Sequence, residues 1–160
     1  MAVSERSAKV TLAGVFLSGL GAFSLLLRSR DEQVQVSPLD LVMLGLATYR
    51  SGRLVAFERV AAPLREPVTK TVPDGSGAGD TVVADGDGWR WTLGELVSCP
   101  VCVGTWVAAG LVYGLHLAPR PTRAYLAIMS ATGTAQLLIE TTEALTWSSR
   151  SSRRQVATGS

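Results

Sequence analysis

One histidine, two cysteines and little net charge leave this 160-residue chain with few of the usual chemical tools. A structural zinc site takes four ligands, usually thiolate or imidazole, and His116 with Cys99 and Cys102 falls short within one chain. Two cysteines also exclude a disulfide scaffold. A formal charge of +2, with no aromatic side chains interleaved in a basic stripe, excludes a nucleic-acid surface. No G-x-S-x-G, phosphate-binding loop or H-E-x-x-H is present. Asp74, Asp80, Asp85 and Asp87 are broken by glycines and lack the terminal glutamate of a calcium loop, so they read as a solvated loop. No cofactor is expected.

What the chain does have is blocks. Hydrophobic residues make up 47%, and charges gather between runs of them. Residues 10–27 contain no charge, and at about 1.5 Å per residue they match one hydrocarbon core. A cleaved signal peptide is the rival reading, but the run is long for one and no small-residue cleavage site follows. Residues 101–118 form a second uncharged block, with Pro100 at the helix start and Pro119 and Pro121 beyond it. Residues 124–139 are apolar and lead into Glu140 and Glu143. Residues 39–60 are mostly apolar, with charges at Asp40, Arg50, Arg53, Glu58 and Arg59. Two arginines at mid-membrane cost about 5–7 kcal/mol, more than the leucines and valines there return. They must snorkel, find partners, or leave this helix in the interface.

The expected fold class is therefore an all-α membrane protein, a small polytopic bundle of three to four transmembrane helices. Helices are expected at about 10–27, 39–60, 101–118 and 124–143. The Gly/Asp-rich stretch 66–94 reads as a flexible linker closed by Trp89 and Trp91 at headgroup level, and 148–160 as a disordered tail. With four spans, nine arginines and lysines fall on the side of the two termini and four opposite, counting Arg30, Arg150, Arg153 and Arg154. The positive-inside rule then puts both termini in the cytoplasm of a bacterium. Small residues four apart (Gly14, Ser18 and Ala22; Gly110 and Gly114; Ala127, Ala131 and Ala135) suggest close helix packing in lipid.

Cys99-Pro100-Val101-Cys102 opens the third block. A helix N-terminus stabilises a thiolate, so the pair could be a redox couple. It could also be half of a zinc site shared between two chains, or two small thiols packed at a helix start. Arg50 and Arg53 share one helix face, and at the same depth stand Glu140 and Glu143, so interhelical ion pairs would relieve their cost. Glu143 is expected to reach the headgroups alone. His116 reads as an interface residue.

The stretches LATYRSGRLVAFERVAAPLRE (46–66) and GELVSCPVCVGTWVA (94–108) resemble a family of bacterial and phage membrane proteins, domain of unknown function 1360. Ala47, Arg50, Arg53, Leu54, Pro63, Leu64, Arg65, Glu95, Leu96, Cys99, Pro100, Cys102, Gly104 and Trp106 carry the resemblance. The first helix and the Gly/Asp-rich insert stand outside it. The resemblance implies a polytopic membrane protein, some members being sporulation-associated, and no established reaction. The leading expectation is a non-enzymatic structural or interaction module. Its partners would be the bilayer and a second copy or another membrane protein, not nucleic acid. Arg50, Arg53, Arg65, Glu95 and Glu140 would form its polar cluster. The alternatives are a thiol-redox accessory using Cys99 and Cys102, and a small transporter or channel component.

Overall fold

The structure is a computed structural model, and it describes the backbone of residues 2–28, 36–75 and 79–158 and the side chains of 5–28, 36–75 and 79–148. Arg30, Arg150, Arg153 and Arg154, used above in counting charge, lie outside the described side chains. The element order is α1 (Ala2–Arg28), α2 (Pro38–Phe57), a single 3-10 turn (Arg59–Ala61), α3 (Ala62–Arg65), β1 (Thr69–Pro73), β2 (Asp80–Ala84), α4 (Trp89–Ser98), α5 (Pro100–Leu117) and α6 (Pro119–Thr158). Two stretches, Glu5–Arg28 and Pro100–Leu117, are long and apolar enough to cross a bilayer.

Local chemistry sets the helix starts. Ser37 and Asp40 form a capping box on α2 with Pro38 in the first turn, where a missing N–H costs nothing. Cys99 caps α5 with a single contact, its sulfur accepting from the Cys102 N–H at 3.3 Å, with Pro100 next. Pro119 opens α6 one residue after α5 ends. That helix runs to Thr158, past the point where a tail was expected to begin at 148.

The core lies where α2 packs between α5 and α6. Leu44, Ala47, Leu115 and Leu126 are buried there, with Met43, Leu111, Val112 and Met129 around them. Asp40 faces Arg123 near the starts of α2 and α6, and Arg53 faces Glu140 further along both, so these helices run the same way. On α1, Phe16 meets Trp106, and Phe23 meets Tyr113 and His116. Helices α1 and α5 therefore also run the same way.

Two expectations change here. The stretch 66–94 is not a structureless linker: β1 and β2 pair antiparallel from Thr69↔Ala84 to Pro73↔Asp80, and α4 follows. The β-branched residues of TKTVP and DTVVA favour strands, but a lone hairpin is marginal in water. Here α4 supports it. Gly94 brings α4 so close that an added Cβ would meet the Val68 carbonyl and lie 2.9 Å from Ala84. Arg90 Nε donates to the Pro67 carbonyl at 2.7 Å.

The small-residue faces also differ. A Cβ added at Gly14 or Gly110 would have nothing within 4 Å of it, and Ala127, Ala131 and Ala135 are exposed. Gly114 does face a neighbour, since an added Cβ would lie 2.6 Å from Thr122 Oγ1 of α6, and the close approaches to backbone sit at other glycines. A Cβ on Gly52 would collide with the Pro100 carbonyl oxygen, and one on Gly133 would lie 2.8 Å from the Leu46 carbonyl oxygen. On α6 the buried stripe is Leu126, Ser130 and Gly133, offset from the alanines.

Candidate functional site

Most of the charged side chains in the sequence-predicted cluster collect around the C-terminal half of α2. The last carbonyls of a helix have no intrahelical donor and must find one elsewhere. Arg65, only 6% exposed, supplies it. Its guanidinium donates to the carbonyls of Glu58 at 2.6 Å, Val55 at 3.1 Å and Phe57 at 3.5 Å. The cation also meets the negative end of the helix dipole. The 3-10 turn and α3 fold the chain back far enough for Arg65 to reach that end.

Arg53 and Glu140 form the interhelical ion pair that their depth suggested, at 3.1 Å. Glu140 is a hub. Tyr49 O–H donates to its Oε2 at 2.9 Å and Gln136 Nε2 to its Oε1 at 3.2 Å. The Arg53 guanidinium also lies 5.7 Å from the ring centres of Tyr49 and Phe57. Arg53 Nε is buried without a hydrogen-bond partner, as is Gln136 Oε1. A groove of about 500 Å³ between α2 and α5 opens beside Tyr49 and Arg53.

Arg50 does not join Glu140. It pairs with Glu58, eight residues along the same chain segment. Glu143 is exposed. Glu95 is tied to Lys9 of α1 at 2.7 Å. His116 Nδ1 lies 2.8 Å from the Val112 carbonyl, within its own helix. Cys99 and Cys102 are joined, with their Cα atoms 5.2 Å apart.

Tyr49, Glu58, Gln136 and Lys9 were not singled out from the sequence. Two of them carried a readable signal. Tyr49 precedes Arg53 by one turn and Gln136 precedes Glu140 by one turn, the spacing at which side chains on a helix meet. Lys9 and Glu58 carried none, because their partners depend on how the chain folds back.

The Arg53–Glu140 pair can be weighed directly. Both side chains are about one-third or more exposed, so screening reduces its worth. A double-mutant cycle with Arg53→Ala and Glu140→Ala should give a coupling of about 0.5–2 kcal/mol in detergent unfolding. Tyr49→Phe should cost about 1 kcal/mol, the net value of one hydrogen bond. A coupling near zero would mean the two side chains are solvated separately.

Fold and site together define a mostly helical protein with two helices able to cross a membrane and a polar cap around a buried arginine. Among the described residues no group of three or more His, Cys, Asp or Glu is placed to hold a metal. The chain belongs to the family of proteins of unknown function DUF1360, whose family model matches residues 43–142. That match begins within α2 and ends within α6, so α1 lies outside it. Sporulation protein YjcA of Bacillus subtilis (strain 168) is 32% identical over 106 residues, covering 64% of this chain and 90% of that protein. UPF0713 protein YngL of the same organism is 28% identical over 109 residues, covering 67% of this chain and 80% of its own length. No solved structure matches.

Proposed function

We propose that the chain is a multi-pass protein of the bacterial cytoplasmic membrane, with four spans and both termini in the cytoplasm, acting as a structural or interaction module. The observation that carries this reading is the separation of apolar and charged surface. Large apolar side chains face outward on all four long helices, among them Leu25 (69% exposed), Leu41 (61%), Val101 (77%) and Leu138 (64%). Soluble proteins rarely leave patches of that extent in water. Lys9, Arg53, Arg65, Glu95 and Glu140 instead gather at one end, with the hairpin and α4. Arg50 and Arg53 each have a carboxylate partner, which offsets the cost that made the second span doubtful from the sequence.

The relative named a sporulation protein supports a role in that process. Gly14, Ser18 and Ala22 on α1, and Ala127, Ala131 and Ala135 on α6, face outward rather than into the bundle. Small residues at that spacing suit close helix contact in lipid, with a second copy or another membrane protein.

Two measurements test the reading. After alkaline carbonate washing the protein should stay in the membrane pellet and leave only with detergent. Release by carbonate would refute membrane integration. Photo-crosslinking from positions 18 and 131 in native membranes should give adducts with protein, whereas adducts with lipid alone would refute the interaction role.

A further inference from the structure

The cysteine pair lies in a cleft that borders the polar end at Lys9 and Glu95, away from Arg53, Arg65 and Glu140. Cys99, Cys102, Leu12, Leu96, Lys9 and Glu95 line a hollow of about 440 Å³ between α1, α4 and α5. That volume suits a small molecule. Among the described residues its only charged lining groups are one ammonium and one carboxylate, 2.7 Å apart, with side chains 55% and 42% exposed. An ion pair that exposed is worth little and opens readily. A ligand carrying its own carboxylate and ammonium could exchange with both partners, its carboxylate going to Lys9 and its ammonium to Glu95. Cys99 sits in the same wall as the cap of α5, where the Cys102 N–H points at its sulfur from 3.3 Å. Helix N–H groups and the positive helix end stabilise a thiolate there.

We infer that Cys99 and Cys102 are a reversible dithiol–disulfide couple whose co-reactant is a low-molecular-weight thiol or disulfide with an amino-acid head, held by Lys9 and Glu95. In the oxidising direction the Cys99 thiolate attacks one sulfur of the small disulfide. A Cys99–ligand S–S bond forms, the ligand's own S–S bond breaks, and one ligand thiolate leaves. The Cys102 thiolate then attacks Cys99 Sγ and expels the second ligand thiolate. The chain loses two electrons and becomes the joined form described above, the small disulfide gains them, and two protons pass from the chain's thiols to the ligand's. The reverse sequence reduces the pair. Membrane topology decides which compartment supplies the co-reactant, and only that clause rests on the functional reading above.

The test uses the full chain, reduced and solubilised in detergent, so membrane integration is not at stake in it. The chain is mixed with cystine or with the neutral bis(2-hydroxyethyl) disulfide, quenched with maleimide, and read by mass. A free peptide bearing Cys-Pro-Val-Cys corrects for the intrinsic reactivity of the two reagents. The chain should prefer cystine over the neutral disulfide by about tenfold more than the peptide does, the worth of one charge-assisted contact. Lys9→Met and Glu95→Gln should each bring the ratio of the cystine rate to the neutral disulfide's rate down to the peptide's. Cys102→Ser should trap a mixed disulfide on Cys99. A preference equal to the peptide's, one that survives both substitutions, or a parallel fall with both reagents would overturn the inference. So would slower trapping on Cys99 in Cys102→Ser than on Cys102 in Cys99→Ser.

Discussion

Gly52→Val is expected to separate α2 from α5 and to destabilise the bundle more than a glycine substitution in α1, α5 or α6. The added Cβ would collide with the Pro100 carbonyl oxygen, which belongs to backbone and cannot swing aside. Overpacking of this kind costs about 1–3 kcal/mol even where neighbours adjust, and a β-branched side chain adds to it. Gly52→Ala should show the lower end of that range despite alanine's advantage of about 0.5–1 kcal/mol in a helix. Gly14→Ala and Gly110→Ala have nothing within 4 Å to meet and should be neutral or slightly stabilising. Circular dichroism of the four variants during unfolding in detergent gives the comparison. Equal midpoints for the substitutions at 52 and 14 would show that α2 and α5 are not in contact there.

Arg65→Met is the second large effect. Methionine keeps much of the apolar stem but removes the guanidinium donors from the end of α2, leaving the Ala61 N–H on the Glu58 carbonyl. The carbonyls of Val55, Phe57 and Glu58 then lose a charged partner in a place that is nearly closed to solvent. Hydrogen bonds to a charged group are worth about 1.5–3 kcal/mol each, and sharing among three acceptors makes the sum sub-additive, so the loss should be about 2–4 kcal/mol. Arg65→Lys should recover less than half of it, because one ammonium cannot span three carbonyls as a planar guanidinium does. Hydrogen exchange should localise the damage to the last turn of α2 and to α3. An exchange pattern unchanged there would mean that water already serves these carbonyls.

Much of the helical layout was legible because uncharged runs and their proline and serine borders follow directly from transfer energetics. Ser37, Pro38 and Asp40 form a cap whose spacing can be read without coordinates, and Pro100 marks the start of α5 equally well. For Glu140 the sequence left two readings open, an ion pair with an arginine of α2 or separate solvation at the headgroups, and helix depth alone does not choose between them. Arg50's partner was less legible still, because a neighbour in its own chain segment, Glu58, competes with the distant carboxylate. The hairpin was hidden by its turn. Gly and Asp dominate 74–88, and the two β-branched runs at 69–73 and 80–84 are too short to stand out. The packing faces could not be read from small-residue spacing, because that spacing says which helix surfaces can approach closely and not which ones do. Gly52 and Gly133 have no partner glycine at that interval, yet they face a neighbouring backbone. Arg65 was legible as a member of the polar cluster, but its acceptors, the last carbonyls of α2, depend on the fold turning it back onto that helix.

The bilayer account is tested most directly by labelling single cysteines, placed at Lys70 in the hairpin and at Ser37 and Arg120 at the opposite helix ends, in a chain with Cys99 and Cys102 replaced by serine. In intact spheroplasts a membrane-impermeant maleimide should modify positions 37 and 120 and spare position 70 until the membrane is opened. Labelling of 70 and 120 together, from the same side, would mean that α5 never crosses.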